Sequence, residues 1–276
     1  MVASIFQPGI EVQSLHSEIL QQDFELYIKL PWSYVTGDAV YPVLFTLDAN
    51  RAFPLYSTMS LIYETPRTGA AEIIIVGIGY KVDEDRMIGL TQWAAWRTRD
   101  FTIERNKETE QFWKERLSAI LGSEYQGVQS GGAAHFLTSL CAEIIPYVEK
   151  NYRVSSDRGL AGYSYGGLFT LYTLLHAPEL FKRYFAGSPT MWEKLFEYEE
   201  QYASVHDDLA AKVFITEGGL ESDLHEPLQR MVDRLRGREY PGLELQTYVF
   251  EGEGHSSAYA ASVSKALRVL YMYKED

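Results

Sequence analysis

The chain predicts an α/β fold built on a mostly parallel sheet with helices on both faces. Two observations point there: strand-like and helix-like segments alternate along its length, and one glycine-rich turn joins a strand to a helix. The turn is Gly162-Tyr163-Ser164-Tyr165-Gly166, preceded by the apolar Gly159-Leu160-Ala161 and followed by the helical pattern Leu168 to Leu175. Gly-x-Ser-x-Gly between strand and helix is the nucleophile elbow of an α/β-hydrolase. Its tightness predicts that side chains two before and two after the serine would collide, so both places take glycine. The serine is held in a strained conformation with its hydroxyl outward. The helix starting beyond Ser164 aims free backbone N–H groups at any oxyanion formed there, with the amide of Tyr165 as one donor.

Taken in order, Ile10 to Leu20 and Phe24 to Leu30 read as an opening antiparallel pair, with Phe24, Leu26 and Ile28 on one face. Residues 43–47, 73–78, 158–163, 184–187, 213–216 and 243–250 are mostly continuous apolar runs, as expected of strands covered on both faces. Ala133 to Lys150 carries a helical stripe (Phe136, Leu137, Leu140, Cys141, Ile144, Ile145, Val148) interrupted by Pro146, which predicts a kink. Leu224 to Arg236 and Ser262 to Tyr273 are two further helices. Residues 83–132 are polar and irregular, carry Trp93, Trp96 and Trp113, and read as an excursion over the site. Nothing divides the rest, so residues 1–276 are expected to form a single domain.

Composition narrows the function. Against 25 Lys+Arg stand 38 Asp+Glu, a formal charge of −13 that repels nucleic acid and anionic membrane surfaces. No stretch reaches membrane-spanning length, and the first eight residues lack the pattern of a secretory signal, so a cytoplasmic protein is expected. Cys141 is the only cysteine, excluding an intrachain disulfide; on an apolar helical face it reads as a packed thiol. Self-association into a homo-oligomer is left open.

A serine hydroxyl needs a base, and of six histidines His255 follows the last strand in the glycine-rich Phe250-Glu251-Gly252-Glu253-Gly254-His255. The order nucleophile, acid, histidine then places the acid between Val213–Thr216 and His255, in Glu217-Gly218-Gly219-Leu220-Glu221-Ser222-Asp223. Glu221 lies mid-loop and is the candidate. Asp223 is the alternative, although as a helix N-cap it has a structural reason to be there, and Glu217 still belongs to the strand end. The second oxyanion donor is expected in Asp48-Ala49-Asn50-Arg51-Ala52-Phe53, at Asn50. Two other motifs lead nowhere: Gly77-Ile78-Gly79 has Val82 where a dinucleotide fingerprint needs its third glycine, and Asp223-Leu224-His225-Glu226 lacks partners for a metal. No metal and no cofactor is implied.

From about Tyr27 onward the chain resembles the esterase D-like (“putative esterase”) family of α/β-hydrolases, which includes siderophore esterases, feruloyl esterases and S-formylglutathione hydrolases. The resemblance is carried by Phe136-Leu137 with Glu143 to Arg153, the elbow with Gly167-Leu168-Phe169, Phe181, and Ser188-Pro189-Thr190-Met191-Trp192. Leu47-Asp48, Ile75 to Tyr80 and Arg97 to Thr102 add to it, and Ala49 stands where that family often has glycine. It implies hydrolysis of a small-molecule carboxylic ester through an acyl-serine, without a cofactor, on short-acyl or aryl esters or on a trilactone siderophore. Trp192 and Trp96 are candidates to wall an acyl pocket; so is Trp93. Arg97, with Arg99, is the candidate to meet an anionic ligand, unless these arginines pair with Asp85 or Asp100. A non-catalytic binding module on the same fold is the reading from another class.

Overall fold

A computed structural model describes residues 9–64, 69–125 and 129–272. One eight-stranded sheet organises them: β1 (Ile10–Ser17), β2 (Gln22–Lys29), β3 (Tyr41–Thr46), β4 (Ile74–Tyr80), β5 (Val154–Tyr163), β6 (Arg183–Gly187), β7 (Ala211–Gly218) and β8 (Leu243–Phe250), in the order β1-β2-β4-β3-β5-β6-β7-β8. β1 pairs antiparallel with β2 and β2 with β4, and every pairing from β4 to β8 is parallel. Burial follows position in the sheet. β4 is buried at all seven positions, whereas the edge strand β1 alternates and carries an exposed row that a second layer never covers. With its antiparallel β2 and β4 and helices on both faces, this is the α/β-hydrolase architecture.

Helices α1 (Ala49–Tyr63) and α9 (Ala258–Tyr271) cover one face, packing Phe53, Tyr56, Val263 and Leu267 on Leu44, Ile75, Phe185 and Phe214. The other face takes α2 (Arg86–Phe101), α4 (Ala133–Ser139), α5 (Ile145–Asn151), α6 (Tyr165–His176), α7 (Glu193–Ala203) and α8 (Ser222–Gly237). Their apolar sides meet Phe45, Ile74, Val76, Leu160 and Tyr184, each 0% exposed. Burying one such side chain contributes about 2 kcal/mol, so the two layers fix how the strands' carboxyl ends are presented.

The expected kink in 133–150 is a π-helical turn over Leu140–Ile144, between α4 and α5. It sits immediately before Pro146, in the first turn of α5, and absorbs the backbone bond that the proline cannot donate. Cys141 is half-buried there, and burial pushes its thiol pKa up.

The described residues of 83–132 are not mainly irregular, as their polarity suggested: most of them form α2 and α3 (Lys107–Leu121). Local chemistry starts both helices: Asp85 accepts from the Met87 and Ile88 amides, and Asn106 accepts from Thr109 N–H at 2.9 Å. Gly122 ends α3 at φ 65°, the left-handed region where a Cβ is unwelcome. Their apolar faces are narrow: α3 buries only Leu117, which is why periodicity did not reveal it. Gly127 of the expected excursion and Tyr273 of the expected last helix lie outside the described residues. Among the described residues no helix is long and apolar enough to cross a membrane.

Candidate active site

Five chain segments leave the carboxyl edge of the sheet side by side: Asp48 after β3, Ser164 after β5, Ser188 after β6, Glu221 after β7 and His255 after β8. In open α/β sheets that edge is where ligands sit.

Ser164 stands at the elbow with φ 60° and ψ −119°, a conformation a side chain rarely takes. It is braced by its own amide, which donates to Gly187 O at 2.9 Å, and by its carbonyl, which accepts from the Leu168 and Thr190 amides. A Cβ on Gly162 would fall 2.1 Å from the Gly166 carbonyl oxygen, so glycine is obligatory two residues before the serine. Two residues after it the requirement is milder than expected, because a Cβ on Gly166 would meet nothing nearer than Asp48 Oδ2 at 3.4 Å. Gly167 is the tighter position, with Pro189 at 2.9 Å.

His255 Nδ1 lies 2.6 Å from Glu221 Oε1. With that edge of the ring occupied, Nε2 is the nitrogen left to face the cleft that Ser164 and His255 both line. The carboxylate is itself fixed, as Oε2 accepts from Ser188 Oγ at 2.6 Å and from the Gly218 amide at 2.7 Å. Ser188 is 1% exposed and sits at φ 35°, the second strained serine of the site. Tyr163 ties base and acid together. Its hydroxyl donates to the His255 carbonyl at 2.7 Å, lies 2.8 Å from Ser188 Oγ, and its ring packs against the imidazole at 5.2 Å. Burial pushes the Tyr163 pKa up to about 12, so the hydroxyl keeps its proton.

The rival acids face elsewhere. Glu217 Oε1 lies 3.0 Å from His225 Nδ1 and turns toward α8. Asp223 is exposed, and because α8 begins at Ser222 it stands inside the first turn, where it favours the helix dipole and does not cap.

At the start of α1, the Arg51 and Ala52 amides already bond Asp48 O, so the amides of Ala49 and Asn50 precede the helix's own hydrogen bonds. The Asn50 side chain is spent on β4, accepting from Tyr80 N–H and donating to Tyr80 O, both at 2.8 Å. Asp48, at φ 58°, brings a carboxylate beside Gly166. Its charge is offset by Arg97, whose Nε and Nη2 donate to the two oxygens at 2.7 and 2.8 Å, while Trp93 Nε1 adds a third donor at 3.1 Å.

Asp48, Arg51, Leu55, Trp93, Arg97 and Tyr259 join Tyr163, Ser164, His255 and Ser256 around a cleft of about 340 Å³. Arg97 therefore reaches the site as expected, but paired with Asp48 and not with Asp85. Arg99 is held by Asp100 at 2.7 Å and does not reach it. Trp96 is absent from the lining: one α-helical step of three residues from Trp93 turns it toward Tyr80, 5.8 Å between ring centroids, and Tyr125. Trp192 is also outside the lining and packs edge-on to Tyr165 at 6.3 Å. Sequence reasoning missed Ser188, Tyr163 and Arg51 as parts of the site. Tyr163 was visible inside the motif, and Ser188 as the residue ending β6; nothing in the sequence singled out Arg51.

Residues 17–131 and 122–262 match the family described as “Putative esterase”. The ferri-bacillibactin esterase BesA of Bacillus subtilis (strain 168) is 30% identical over 95% of this chain and 89% of its own. A siderophore triacetylfusarinine C esterase of Aspergillus fumigatus is 27% identical over 86% and 83%. The crystal structure of the BES protein from Bacillus cereus superposes with a TM-score of 0.78 at 26% identity, covering 97% of this chain and 98% of that one. A chain that places an elbow serine and a carboxylate-held histidine at one sheet edge, and matches this family over most of its length, belongs to it and is an esterase of the α/β-hydrolase fold.

Proposed function

We propose that Ser164, His255 and Glu221 form a catalytic triad that hydrolyses the ester bonds of a siderophore of the trilactone class. Ser164 Oγ attacks the acyl carbon as its proton passes to His255 Nε2. The same proton then goes to the departing alkoxide oxygen, leaving an acyl-serine. Water, deprotonated by His255, attacks that acyl group and releases the acid, restoring the serine proton. Glu221 holds Nδ1–H toward itself, so the lone pair of Nε2 is the one offered to the serine, and it stabilises the imidazolium formed midway. The amides of Tyr165 and Asn50, at the starts of α6 and α1, are assigned to the oxyanion. Arg97 keeps the Asp48 carboxylate from opposing the charge that develops there.

The observation that carries the reading is the 2.6 Å contact between His255 and Glu221 beside the strained Ser164. The siderophore substrate is supported by the activities for which the relatives are named. Helix α2, in the place of the expected excursion, supplies one wall through Trp93 and Arg97 and acts as the element that shapes substrate access. The lone Cys141 supports a cytoplasmic site of action.

Turnover of a trilactone siderophore beside a short-chain aryl ester, by wild type and by Ser164→Ala and His255→Ala, tests this. Both substitutions are expected to cost on the order of a million-fold in turnover. A variant that keeps a few per cent of the rate with its fold intact places the chemistry elsewhere. Cleavage of the aryl ester with none of the trilactone replaces the siderophore by simple esters as substrate.

A further inference from the structure

Arg51 is a cation of the cleft that, among the described residues, no carboxylate neutralises. Asp48 and Arg97 cancel as a bidentate pair, and Asp48 is further occupied by Trp93. Arg51 is exposed and, among the described residues, has no carboxylate within ion-pair reach; its guanidinium carbon stands 5.0 Å from the centroid of the Trp93 ring. The ring holds one face of a planar, always-charged group while its N–H edges stay available to a ligand. It does so at the rim of the cleft that also contains Ser164 and His255. The surrounding protein carries −13 and repels anions, so a lone cation here decides locally which charge is admitted.

We propose that Arg51, seated on Trp93, is a specificity-determining residue that receives an anionic oxygen group of the substrate, a carboxylate or a catecholate, and orients its ester toward Ser164. The proposal rests on the esterase reading of the same cleft. A planar guanidinium fork meets two adjacent anionic oxygens with two hydrogen bonds. A neutral ester of the same length gains neither the bonds nor the attraction. Arg97 does not substitute, since its fork is already filled by Asp48.

The test compares 4-nitrophenyl hexanoate with mono-4-nitrophenyl adipate, its counterpart ending in a carboxylate, and with 4-carboxyphenyl hexanoate, which carries the anion on the leaving group. The quantity read is kcat/KM for each anionic ester divided by that for the neutral one. Arg51→Gln is expected to lower this ratio about tenfold for at least one of the two anionic esters, mainly through KM, and Arg51→Glu to lower it further. In wild type the same ratio is expected to shrink as salt rises from about 0.05 to 0.5 M, because the rim is open to screening. Matching circular dichroism and melting temperature establish that both variants fold. Ratios unchanged by Arg51→Gln for both anionic esters overturn the proposal. The esterase reading is checked apart from it, by whether wild type cleaves the neutral ester and Ser164→Ala does not.

Discussion

Glu221 spends both carboxylate oxygens, one on His255 and the other on Ser188 and the Gly218 amide, and so it meets the imidazole in a single orientation. Glu221→Gln keeps that shape but turns either an N–H donor or a neutral oxygen toward Nδ1. Turnover of an aryl ester is expected to fall about ten-thousand-fold, as an amide does to an orienting carboxylate elsewhere. Asp223→Asn, at an exposed position inside α8, is expected to change the rate less than twofold; parity of the two variants would remove Glu221 from the triad. Chain order pointed to the loop and its middle position favoured Glu221, the carboxylate the fold brings to His255, with Asp223 open as the alternative. The choice between Glu221 and Asp223 turns on whether α8 starts at Ser222 or near Leu224, a two-residue ambiguity that hydrophobic spacing does not resolve. Arg97 illustrates a different limit. Its presence near the site was readable, whereas its neutralisation by Asp48, 49 residues away in sequence, is purely a property of the folded chain.

At the scale of elements, two polar fastenings stand out. Lys29 at the end of β2 is 0% exposed and donates to Ser60 Oγ at 3.0 Å and to Glu64 Oε1, which joins the sheet to the last turn of α1. Removing one partner leaves a buried charge. Glu64→Leu is expected to destabilise by about 3–5 kcal/mol, whereas Lys29→Met combined with Glu64→Leu recovers most of the loss; denaturant unfolding of both variants measures this. A double variant as unstable as the single one would show that the cost is packing. The second fastening joins the α2–α3 turn to the segment before α4: Glu110 accepts from Arg105 and from the amide and hydroxyl of Ser130. The Arg105 hydrogen bonds, with those of Ser130, hold the Glu110 pKa down at about 2, from an ordinary 4.5. A depressed carboxylate stabilises the folded state above its unfolded value, and that stabilisation is lost as pH falls from about 4.5 toward 2. The gap in melting temperature between wild type and Glu110→Gln should therefore be present at neutral pH and close across that window; a gap independent of pH would contradict the role. Neither fastening was visible in sequence, because α3 buries too little to announce itself and Lys29 occupies what reads as the polar end of a strand.

For the whole molecule, the sheet does the assembling. Six parallel strands bring residues as distant as Asp48 and His255 to one edge, and α1 and α6 point their amino ends into the same cleft. Much of this plan was readable, since buried parallel strands are apolar runs and the elbow needs glycine where Gly162 stands. The α2–α3 layer and the pairing of buried charges were not, because they depend on narrow contacts between elements far apart in sequence. The central claim is that Ser164 is the residue to which the acyl group is transferred. It is tested most directly by reacting the folded protein with a fluorophosphonate and locating the adduct by peptide mass spectrometry. One adduct per chain is expected, on Ser164, with loss of ester hydrolysis in proportion to labelling and no labelling of His255→Ala on the same timescale. An adduct on another residue, or full hydrolytic activity in protein fully labelled at Ser164, would contradict it.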